Sequence, residues 1–372
     1  MLRIPEWPQA GERERELLDE VLRSNQWGGF HPLVGEFEQR FAAFQHTRHC
    51  VTAANGTLTL EAGFAAAGFA PGDEVIVPAI SFVSTATAVS RAGLVPVFVD
   101  IEPYSFNLDP ARAEAAIGPK TRGICAVHFG GPLANMDALT EIAQRRGLVL
   151  FEDAAHAHGS EWKGRRAGSF GLWSSFSFQN GKVLTAGEGG ALLTSDDAMA
   201  ARLRSLLNQG RRAGEGFFHH YELATNARIT ALQAAVLMAQ LDRLPDEIQQ
   251  RRANENRIRE IVADVPGLTL QHVPAEVNVH AHYLLLGRID AARYGETRDE
   301  FHRRVTALGI PCTPFYPHPL YANPLYRDWP LRVTPCPNAE ASIADAFWMP
   351  HRVLMADAET TEAIGQALAR RS

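Results

Sequence analysis

The sequence predicts an α/β fold, with a large mixed-sheet α/β/α domain followed by a smaller C-terminal α+β domain. Apolar, β-prone segments alternate with helix-forming segments from about residue 50 to residue 200, which is the pattern of a parallel or mixed sheet covered by helices on both faces. After residue 195 the pattern becomes mostly helical. A chain of 372 residues with 46% hydrophobic content is long enough to bury one large core and a second, smaller one.

The predicted elements follow from the spacing of the apolar residues. Short apolar runs bounded by turn residues predict six strands, at 74–78, 95–99, 123–127, 148–151, 173–178 and 191–194. Helix-forming segments lie at 58–68, 110–117, 136–146, 198–207 and 230–241. In the C-terminal part, an apolar run at 283–287 and helical segments near 297–308 and 358–369 predict the smaller domain.

A domain boundary is predicted at the dipeptide Leu244-Pro245. Proline lacks the amide hydrogen of a helical residue and clashes with the preceding turn, so Pro245 is expected to interrupt the helical run. A charged stretch, 246–264, follows it. We therefore expect a large domain over residues 1–245, including an N-terminal arm, and a small domain over residues 246–372.

Composition and charge exclude several classes of protein. The net charge of -6 argues against a general nucleic-acid surface, which needs a basic excess to neutralise phosphates. The four cysteines, at positions 50, 125, 312 and 336, form no Cys-x-x-Cys pair, so neither a disulfide framework nor a zinc ribbon is indicated. No window reaches 18 apolar residues, and the N-terminus lacks a secretory pattern. We expect a soluble cytoplasmic protein with no nucleic-acid or membrane partner.

Lys182 is the strongest candidate for covalent chemistry. It lies between an apolar stretch, 173–178, and a small, glycine-rich stretch, 185–190, and is therefore expected in a turn at the end of a strand. A partly desolvated lysine has a lowered pKa and a nucleophilic amine, which Schiff-base formation with pyridoxal phosphate requires. An ordinary surface lysine is the alternative, although the chain has only three lysines, Lys120, Lys163 and Lys182, against 33 arginines.

Asp153 is the candidate partner for the nitrogen of a pyridine ring. It ends the apolar run 148–151 and Glu152, so it is expected at the tip of a buried parallel strand, where open α/β sheets bind ligands. A carboxylate there would keep the ring of pyridoxal phosphate protonated and electron-withdrawing. An aspartate that caps the following helix is the alternative reading.

A third set of residues suits a phosphate and a flat ring. Gly56 and Thr57 begin a helix-forming segment, where free backbone N–H groups, a hydroxyl and the helix dipole favour a phosphate. Phe82 follows the strand at 74–78 and could supply a flat face to a ring, with a place in the core as the alternative. Each signal is weak alone and gains weight beside Lys182 and Asp153.

These motifs resemble the DegT/DnrJ/EryC1/StrS family of pyridoxal-phosphate-dependent aminotransferases, over nearly the whole chain. The blocks that carry the resemblance are 55–57, 72–78, 96–101, 107–109, 136–137, 152–156, 176–178, Lys182, 187–190, 226–228 and 233–235. The resemblance implies an aspartate aminotransferase-like fold, fold type I of the pyridoxal-phosphate-dependent transferases. Some members of the family are dehydratases in which a histidine replaces the lysine, whereas this chain keeps Lys182, so transamination is favoured.

The same resemblance implies roles for individual residues. Lys182 would be the Schiff-base lysine, Asp153 the partner of the pyridine nitrogen, and His156 a neighbour of the ring near its hydroxyl. The expected phosphate contacts are Gly56, Thr57 and Ser177, and Phe82 is expected to stack on the ring. In the family an asparagine in the stretch that matches Asn226 to Arg228 reaches the phosphate from a neighbouring subunit, which implies a homodimer with a shared active site.

Further similarity narrows the substrate class. The segments 4–8, 176–182, 335–338 and 348–354 are similar to 3-amino-5-hydroxybenzoate synthases and scyllo-inosose aminotransferases. The segment 316–321 instead resembles the nucleotide-sugar enzymes, with Tyr321 where they usually have a histidine. The expected reaction moves an amino group from L-glutamine or L-glutamate to a cyclic ketone, through pyridoxamine phosphate, with a transaminase that also dehydrates as an alternative. Arg228, His318, Tyr321 and His351 are candidate substrate contacts, with a structural role as the alternative for Arg228, His318 and His351.

Three other functions compete with this interpretation. A metal hydrolase could use His128, Asp153, His156 and His158, although their spacing matches no known ligand set and would leave Lys182 without a role; no metal is therefore expected. A non-catalytic sensor could keep the fold, but it would not need Lys182 and Asp153. A dinucleotide-dependent oxidoreductase would need a glycine fingerprint after the first strand, which the sequence lacks.

Overall fold

The computed structural model describes residues 2–370, and within them the large sheet has eight strands. In chain order the strands are β1 (His49–Ala53), β2 (Glu74–Pro78), β3 (Val95–Val99), β4 (Thr121–Val127), β5 (Val149–Asp153), β6 (Glu161–Trp162), β7 (Arg165–Arg166), β8 (Ser174–Ser177), β9 (Gly190–Thr194), β10 (Leu268–Leu270), β11 (Leu284–Ile289), β12 (Thr313–Pro314), β13 (Arg332–Val333) and β14 (Ala346–Pro350). All six strands predicted for the first half are present, with ends that differ by two residues or fewer.

The helices surround this sheet and continue into the C-terminal part. They are α1 (Glu12–Ser24), α2 (Pro32–Phe44), α3 (Gly56–Ala66), α4 (Ser84–Arg91), α5 (Pro110–Ala115), α6 (Met136–Arg146), α7 (Asp197–Leu206), α8 (Ala231–Val262), α9 (Ala291–Tyr294), α10 (Arg298–Ala307), α11 (Pro337–Asp345) and α12 (Ala358–Ala369). Side chains of the sequence fix several of their starts. Asn55 caps α3 by accepting the Leu58 amide, and Asp196 caps α7 in the same way through Met199, because an N-cap oxygen satisfies amides that have no helical partner.

The order of the large sheet is β1-β9-β8-β5-β4-β2-β3-β13. Strand β9 runs antiparallel to both of its neighbours, and every other neighbouring pair is parallel. The predicted mixed sheet is therefore confirmed. Because β5 and β8 are adjacent and parallel, their carboxyl ends lie at the same edge, and this brings Asp153 and Ser177 to one side of the molecule.

The predicted interruption at Pro245 is wrong, because α8 is one helix from Ala231 to Val262 with Pro245 inside it. As far as Ile248 the helix packs in the core of the large sheet, with Leu244 and Ile248 buried there on either side of the proline. Its second half places Ile258 and Val262 in the core of the C-terminal part. Pro245 itself is exposed, so packing on both sides of the proline maintains the helix although one backbone hydrogen bond is lost.

The C-terminal part contains a second, four-stranded sheet in the order β10-β11-β14-β12. Its neighbouring strands are antiparallel, and α10 and α12 contribute Phe301 and Leu368 to the core beneath it. The short strand β13 leaves this part and pairs in parallel with β3 at the edge of the large sheet. The division into domains at residues 245 and 246 stays a prediction. Across residues 2–370, no helix combines the length and apolarity needed to cross a membrane.

Candidate active site

A cavity of about 920 Å³ opens at the carboxyl edge of the large sheet. Seven of the predicted site residues line it, namely Gly56, Thr57, Phe82, Asp153, His156, Ser177 and Lys182. They come from the ends of β5 and β8, the start of α3 and the loops after β2 and β8. The opposite wall comes from the C-terminal part, through Tyr283, Leu284, Tyr316 and Trp348. The fold thus brings together residues that are more than 120 positions apart in the sequence.

Asp153 is buried at the carboxyl end of β5 and lines the cavity. Its Oδ2 accepts a hydrogen bond of 2.7 Å from Thr85 Oγ1, and Thr85 is linked in turn to the hydroxyl of Ser81. Its Oδ1 accepts a longer bond of 3.3 Å from the Ala155 amide. A buried carboxylate needs such donors. The hydroxyl network therefore fixes the direction in which this carboxylate points.

Lys182 is half-buried in the loop after β8 and lines the same cavity. Its Nζ lies 4.4 Å from the centroid of the Tyr283 ring, which is within the range of a cation–π contact. The backbone at this position is held as well, because the Lys182 amide donates to Gln179 O at 2.8 Å. The amine therefore has a defined position above an aromatic face.

His156 is buried beside Tyr283, with 4.2 Å between the ring centroids. Burial, followed by the charge of Lys182, lowers the pKa of His156 well below its usual value, so the imidazole is neutral at physiological pH. The Gly130 amide donates to its Nδ1 at 3.3 Å. The proton of the neutral ring therefore lies on Nε2, which makes Nε2 a hydrogen-bond donor.

The start of α3 supplies a place for an anion. The first amides of a helix have no helical partner, and the helix dipole gives this end a partial positive charge. Thr57 Oγ1 lies 2.7 Å from Ser84 Oγ, and both residues line the cavity together with Gly56 and Ser177. A Cβ at Gly56 would come within 2.8 Å of the Ser177 Cβ, so only glycine allows this close approach of α3 to β8.

Several residues of the cavity wall were not singled out in the sequence. Tyr283, Tyr316 and Trp348 form an aromatic wall, and Gln179 and Glu188 lie in the loop around Lys182. Burial raises the pKa of Tyr316, so its hydroxyl stays protonated and can donate. Tyr283 directly precedes β11, yet nothing local in the sequence indicates that the start of this strand lies opposite Lys182. Phe82 is 58% exposed on the cavity wall, so the alternative of a core position does not hold.

Five other predicted site residues lie outside the wall of this cavity, namely Asn226, Arg228, His318, Tyr321 and His351. Arg228 lines a separate cleft of about 370 Å³ and donates to Asn208 Oδ1 at 2.7 Å. The Tyr321 hydroxyl donates to Glu340 at 2.8 Å. His351 is buried and packs between Trp7 and Tyr283, so the structure places it behind the aromatic wall.

The residues of the metal-hydrolase alternative do not form a metal site. His128 uses both of its ring nitrogens, since Nε2 lies 3.1 Å from Glu152 Oε2 and Nδ1 accepts the Ala134 amide. Among residues 2–370, one group has metal-like spacing, and it consists of Glu255, His280 and His282, outside the cavity. There His282 Nδ1 lies 2.6 Å from Glu255 Oε2, and Arg259 pairs with Oε1 of the same carboxylate.

The cavity fits pyridoxal phosphate in size and in chemistry. The start of α3 lines the cavity at Gly56 and Thr57 and suits a phosphate, the Asp153 carboxylate suits a protonated ring nitrogen, and Lys182 offers an amine. The neutral His156 can donate to a hydroxyl on the ring. Each chemical feature of the cofactor thus has a partner of the matching kind. The four residues of the metal alternative, by contrast, do not form a set of metal ligands.

Comparisons with known proteins agree with this fit. The sequence profile of the DegT/DnrJ/EryC1/StrS aminotransferase family matches residues 8–368. The chain is 35% identical to a 3-amino-5-hydroxybenzoate synthase of Amycolatopsis mediterranei (strain S699), over 99% of this chain and 98% of the relative. It is 38% identical to an L-glutamine:2-deoxy-scyllo-inosose aminotransferase of Streptomyces kanamyceticus, over 87% and 79% of the two chains. A crystal structure of 3-amino-5-hydroxybenzoic acid synthase superposes with a TM-score of 0.93 at 33% identity, covering 99% of this chain and 98% of that one.

Proposed function

Because this chain belongs to the DegT/DnrJ/EryC1/StrS family of pyridoxal-phosphate-dependent aminotransferases, we propose that it moves an amino group from L-glutamine or L-glutamate to a cyclic ketone. The observation that carries this proposal is the meeting of Lys182, Asp153 and the start of α3 in one cavity. A lysine amine, a buried carboxylate and an anion site are the three groups that this chemistry requires.

The proposed roles divide between holding the cofactor and moving a proton. When bound, pyridoxal phosphate supplies an aldehyde that carries the amino group and a pyridine ring that draws electrons from the reacting carbon. Asp153 would keep the ring nitrogen protonated, and Gly56, Thr57 and Ser177 would hold the phosphate. Phe82 would cover the ring face, and the Nε2 proton of His156 would be available to the ring hydroxyl.

Lys182 then has two tasks in this proposal. Its amine would hold the cofactor in the absence of substrate and would become free when the amino donor binds. The freed Nζ would take a proton from the substrate carbon and return it to the cofactor carbon, as a general base and then a general acid. The ring of Tyr283 stabilises Nζ while it carries the extra proton.

The donor and the acceptor are proposed from the names of the relatives. L-Glutamine is the favoured donor, because the scyllo-inosose aminotransferases carry it in their names. A cyclitol ketone is the favoured acceptor. An aminohydroxybenzoate-type reaction, in which loss of water follows the transfer, is the second candidate, and the TM-score of 0.93 with such a synthase favours it.

We also propose that the active site is completed by a second copy of the chain. Asn226 and Arg228 lie outside the wall of the cavity in their own chain, and Arg228 lines a different cleft. A homodimer would let this segment reach the phosphate site of the neighbouring subunit.

The first experiment locates the cofactor on the chain. Protein loaded with pyridoxal phosphate is reduced with borohydride, digested and analysed by mass spectrometry, and the cofactor mass is expected on the peptide with Lys182. Lys182→Ala should lose the label and turnover. Lys163→Ala is the matched control and should keep both, because Lys163 is exposed and pairs with Asp137. A label on any other lysine would overturn the proposal.

The second experiment identifies the substrates. Loaded protein is mixed with L-glutamine or L-glutamate, and pyridoxamine phosphate and the released keto acid are measured by chromatography. The protein that now contains pyridoxamine phosphate is then mixed separately with a keto-inositol, a cyclohexenone carboxylate and a nucleotide-linked keto-sugar. Amination of the keto-inositol is the expected result. Use of the carboxylate with release of water would establish the second candidate instead.

A further inference from the structure

The N-terminal arm contacts the peptide that carries Lys182. The indole Nε1 of Trp7 donates to Lys182 O at 3.0 Å, although the two residues are 175 positions apart. None of residues 2–11, which form this arm in the part of the chain that the structure describes, lines the cavity. The contact therefore reaches the lysine through its backbone and leaves the amine free.

His351 holds the backbone of the residue that carries the aromatic face opposite Lys182. Its amide donates to Tyr283 O at 3.1 Å. Trp7 packs edge-on against His351, with 4.5 Å between the ring centroids. The indole N–H of Trp7 thus holds the Lys182 backbone, while His351 holds the Tyr283 backbone and packs against the indole.

The same rings continue to the amine. His351 stacks on Tyr283 with 6.2 Å between the centroids, and the face of Tyr283 lies 4.4 Å from Lys182 Nζ. Trp7 is therefore connected to Lys182 in two ways: through the rings of His351 and Tyr283 to the amine, and directly to the backbone carbonyl. A shift of Trp7 would disturb both connections.

The arm is fixed on both sides of Trp7. Before it, Arg352 Nη1 donates to Pro5 O at 3.0 Å. After it, Gln240 Nε2 donates to Gln9 O at 2.9 Å. Because hydrogen bonds anchor the arm at each end, Trp7 is presented from a rigid support and not from a loose terminus.

We propose that Trp7 and His351 are positioning residues, which hold the Lys182 backbone and the Tyr283 ring from outside the cavity and thereby align the Lys182 amine. This role rests on the proposed function of Lys182. It predicts that loss of the Trp7 hydrogen bond loosens the lysine loop, weakens cofactor binding and lowers kcat. The KM of the amino donor should stay unchanged, because neither residue lines the cavity.

The test uses Trp7→Phe in the cofactor-free protein, so that its first readout does not depend on activity. Hydrogen exchange of the peptide covering residues 179–187 is measured by mass spectrometry. We expect this exchange to become about fivefold faster, the factor that a hydrogen bond of typical strength represents. The Kd for pyridoxal phosphate should rise by a similar factor. Trp329→Phe is the matched control, since Trp329 is 52% exposed and lies off the cavity wall.

A second pair of variants tests the packing of the His351 ring between Trp7 and Tyr283. His351→Phe keeps a ring at this position and should preserve slow exchange at residues 179–187, whereas His351→Ala removes the ring and should make this exchange faster. Unchanged exchange in Trp7→Phe would overturn the proposal even if borohydride still labels Lys182, so the proposed function would survive. Faster exchange spread over the whole protein would also overturn it, because Trp7 would then be a general packing residue.

Discussion

At the scale of single residues, the direction of the Asp153 carboxylate depends on Thr85. The threonine hydroxyl donates to Oδ2 at 2.7 Å, and both groups are buried. A hydrogen bond to a charged group contributes about 1.5–3 kcal/mol, and a buried oxygen without its donor is costly. Thr85 is therefore expected to affect the cofactor through Asp153 although it does not itself line the cavity.

Thr85→Val should raise the Kd for pyridoxal phosphate and lower kcat by roughly tenfold or more, because Asp153 loses a charge-assisted hydrogen bond. The measurement is a cofactor titration followed by steady-state kinetics. Thr87→Val is the control on the same helix, since Thr87 Oγ1 donates only to backbone carbonyls of α4. Equal behaviour of the two variants would show that the Thr85 hydroxyl does not support Asp153.

The difference between Asp153 and Thr85 also shows what the sequence could predict about the site. Asp153 and Lys182 stand directly after apolar runs, and the ends of strands in an α/β sheet are the expected places for a site. Thr85 and Tyr283 carry no such local signal. They reach the site because distant segments pack together, and Tyr283 arrives from a different sheet.

At the scale of elements, α8 shows where local reasoning failed. A proline inside a helix removes one hydrogen bond, and this predicted a break at Pro245. The helix continues because Leu244 before the proline, and Ile248 and Ile258 after it, are buried in packed cores. Burial of apolar side chains contributes about 1.5–3 kcal/mol for each large residue, which exceeds the local loss.

Pro245→Ala should therefore increase the free energy of unfolding, by about 1–2 kcal/mol, because alanine restores the amide donor at an exposed helical position. Urea unfolding followed by circular dichroism measures the change. Pro337→Ala provides the comparison, since Pro337 is the first residue of α11, where a missing amide has no helical cost. A loss of stability in Pro245→Ala would mean that the proline stabilises a bend that the two cores require.

At the scale of the whole molecule, the predicted architecture is confirmed, with a mixed sheet and a smaller C-terminal sheet. The return of β13 to the edge of the large sheet was not predicted, because a strand of two residues is too short to show an alternation of apolar and polar side chains. Arg332 secures this return by donating to both carboxylate oxygens of Glu74, at 3.1 and 2.8 Å. Such long-range pairs depend on the complete fold.

Buried histidines should make the whole molecule sensitive to acid. Burial, followed by the charge of Lys182, lowers the pKa of His158 from 6.5 to about 3. Between these values the unfolded chain binds a proton that the folded chain does not, so stability falls as the pH falls. From pH 7.5 to pH 5.5 this single residue should cost about 1.4 kcal/mol of unfolding free energy.

His158→Phe tests this contribution, because the ring lies among Phe41, Phe176 and Phe178 and phenylalanine cannot titrate. Between pH 7.5 and pH 5.5, the free energy of unfolding of the variant, measured with urea, should fall by about 1.4 kcal/mol less than that of the wild type. His219→Phe, at an exposed position, is the control. An identical pH dependence in His158→Phe and the wild type would exclude His158 as a source of acid sensitivity.

The shared active site can be tested by mixing two inactive variants. Lys182→Ala removes the amine of its own site, and Asn226→Asp places a negative charge where the partner's phosphate would bind. If each site combines Lys182 of one subunit with Asn226 of the other, a mixed dimer contains one intact site. Random mixing should then restore about a quarter of the wild-type activity. If both residues act within one chain, no mixed dimer contains an intact site, and co-refolded protein stays inactive. Size-exclusion chromatography of each variant verifies that the dimers form, so that an inactive mixture contradicts the shared site and not merely the assembly.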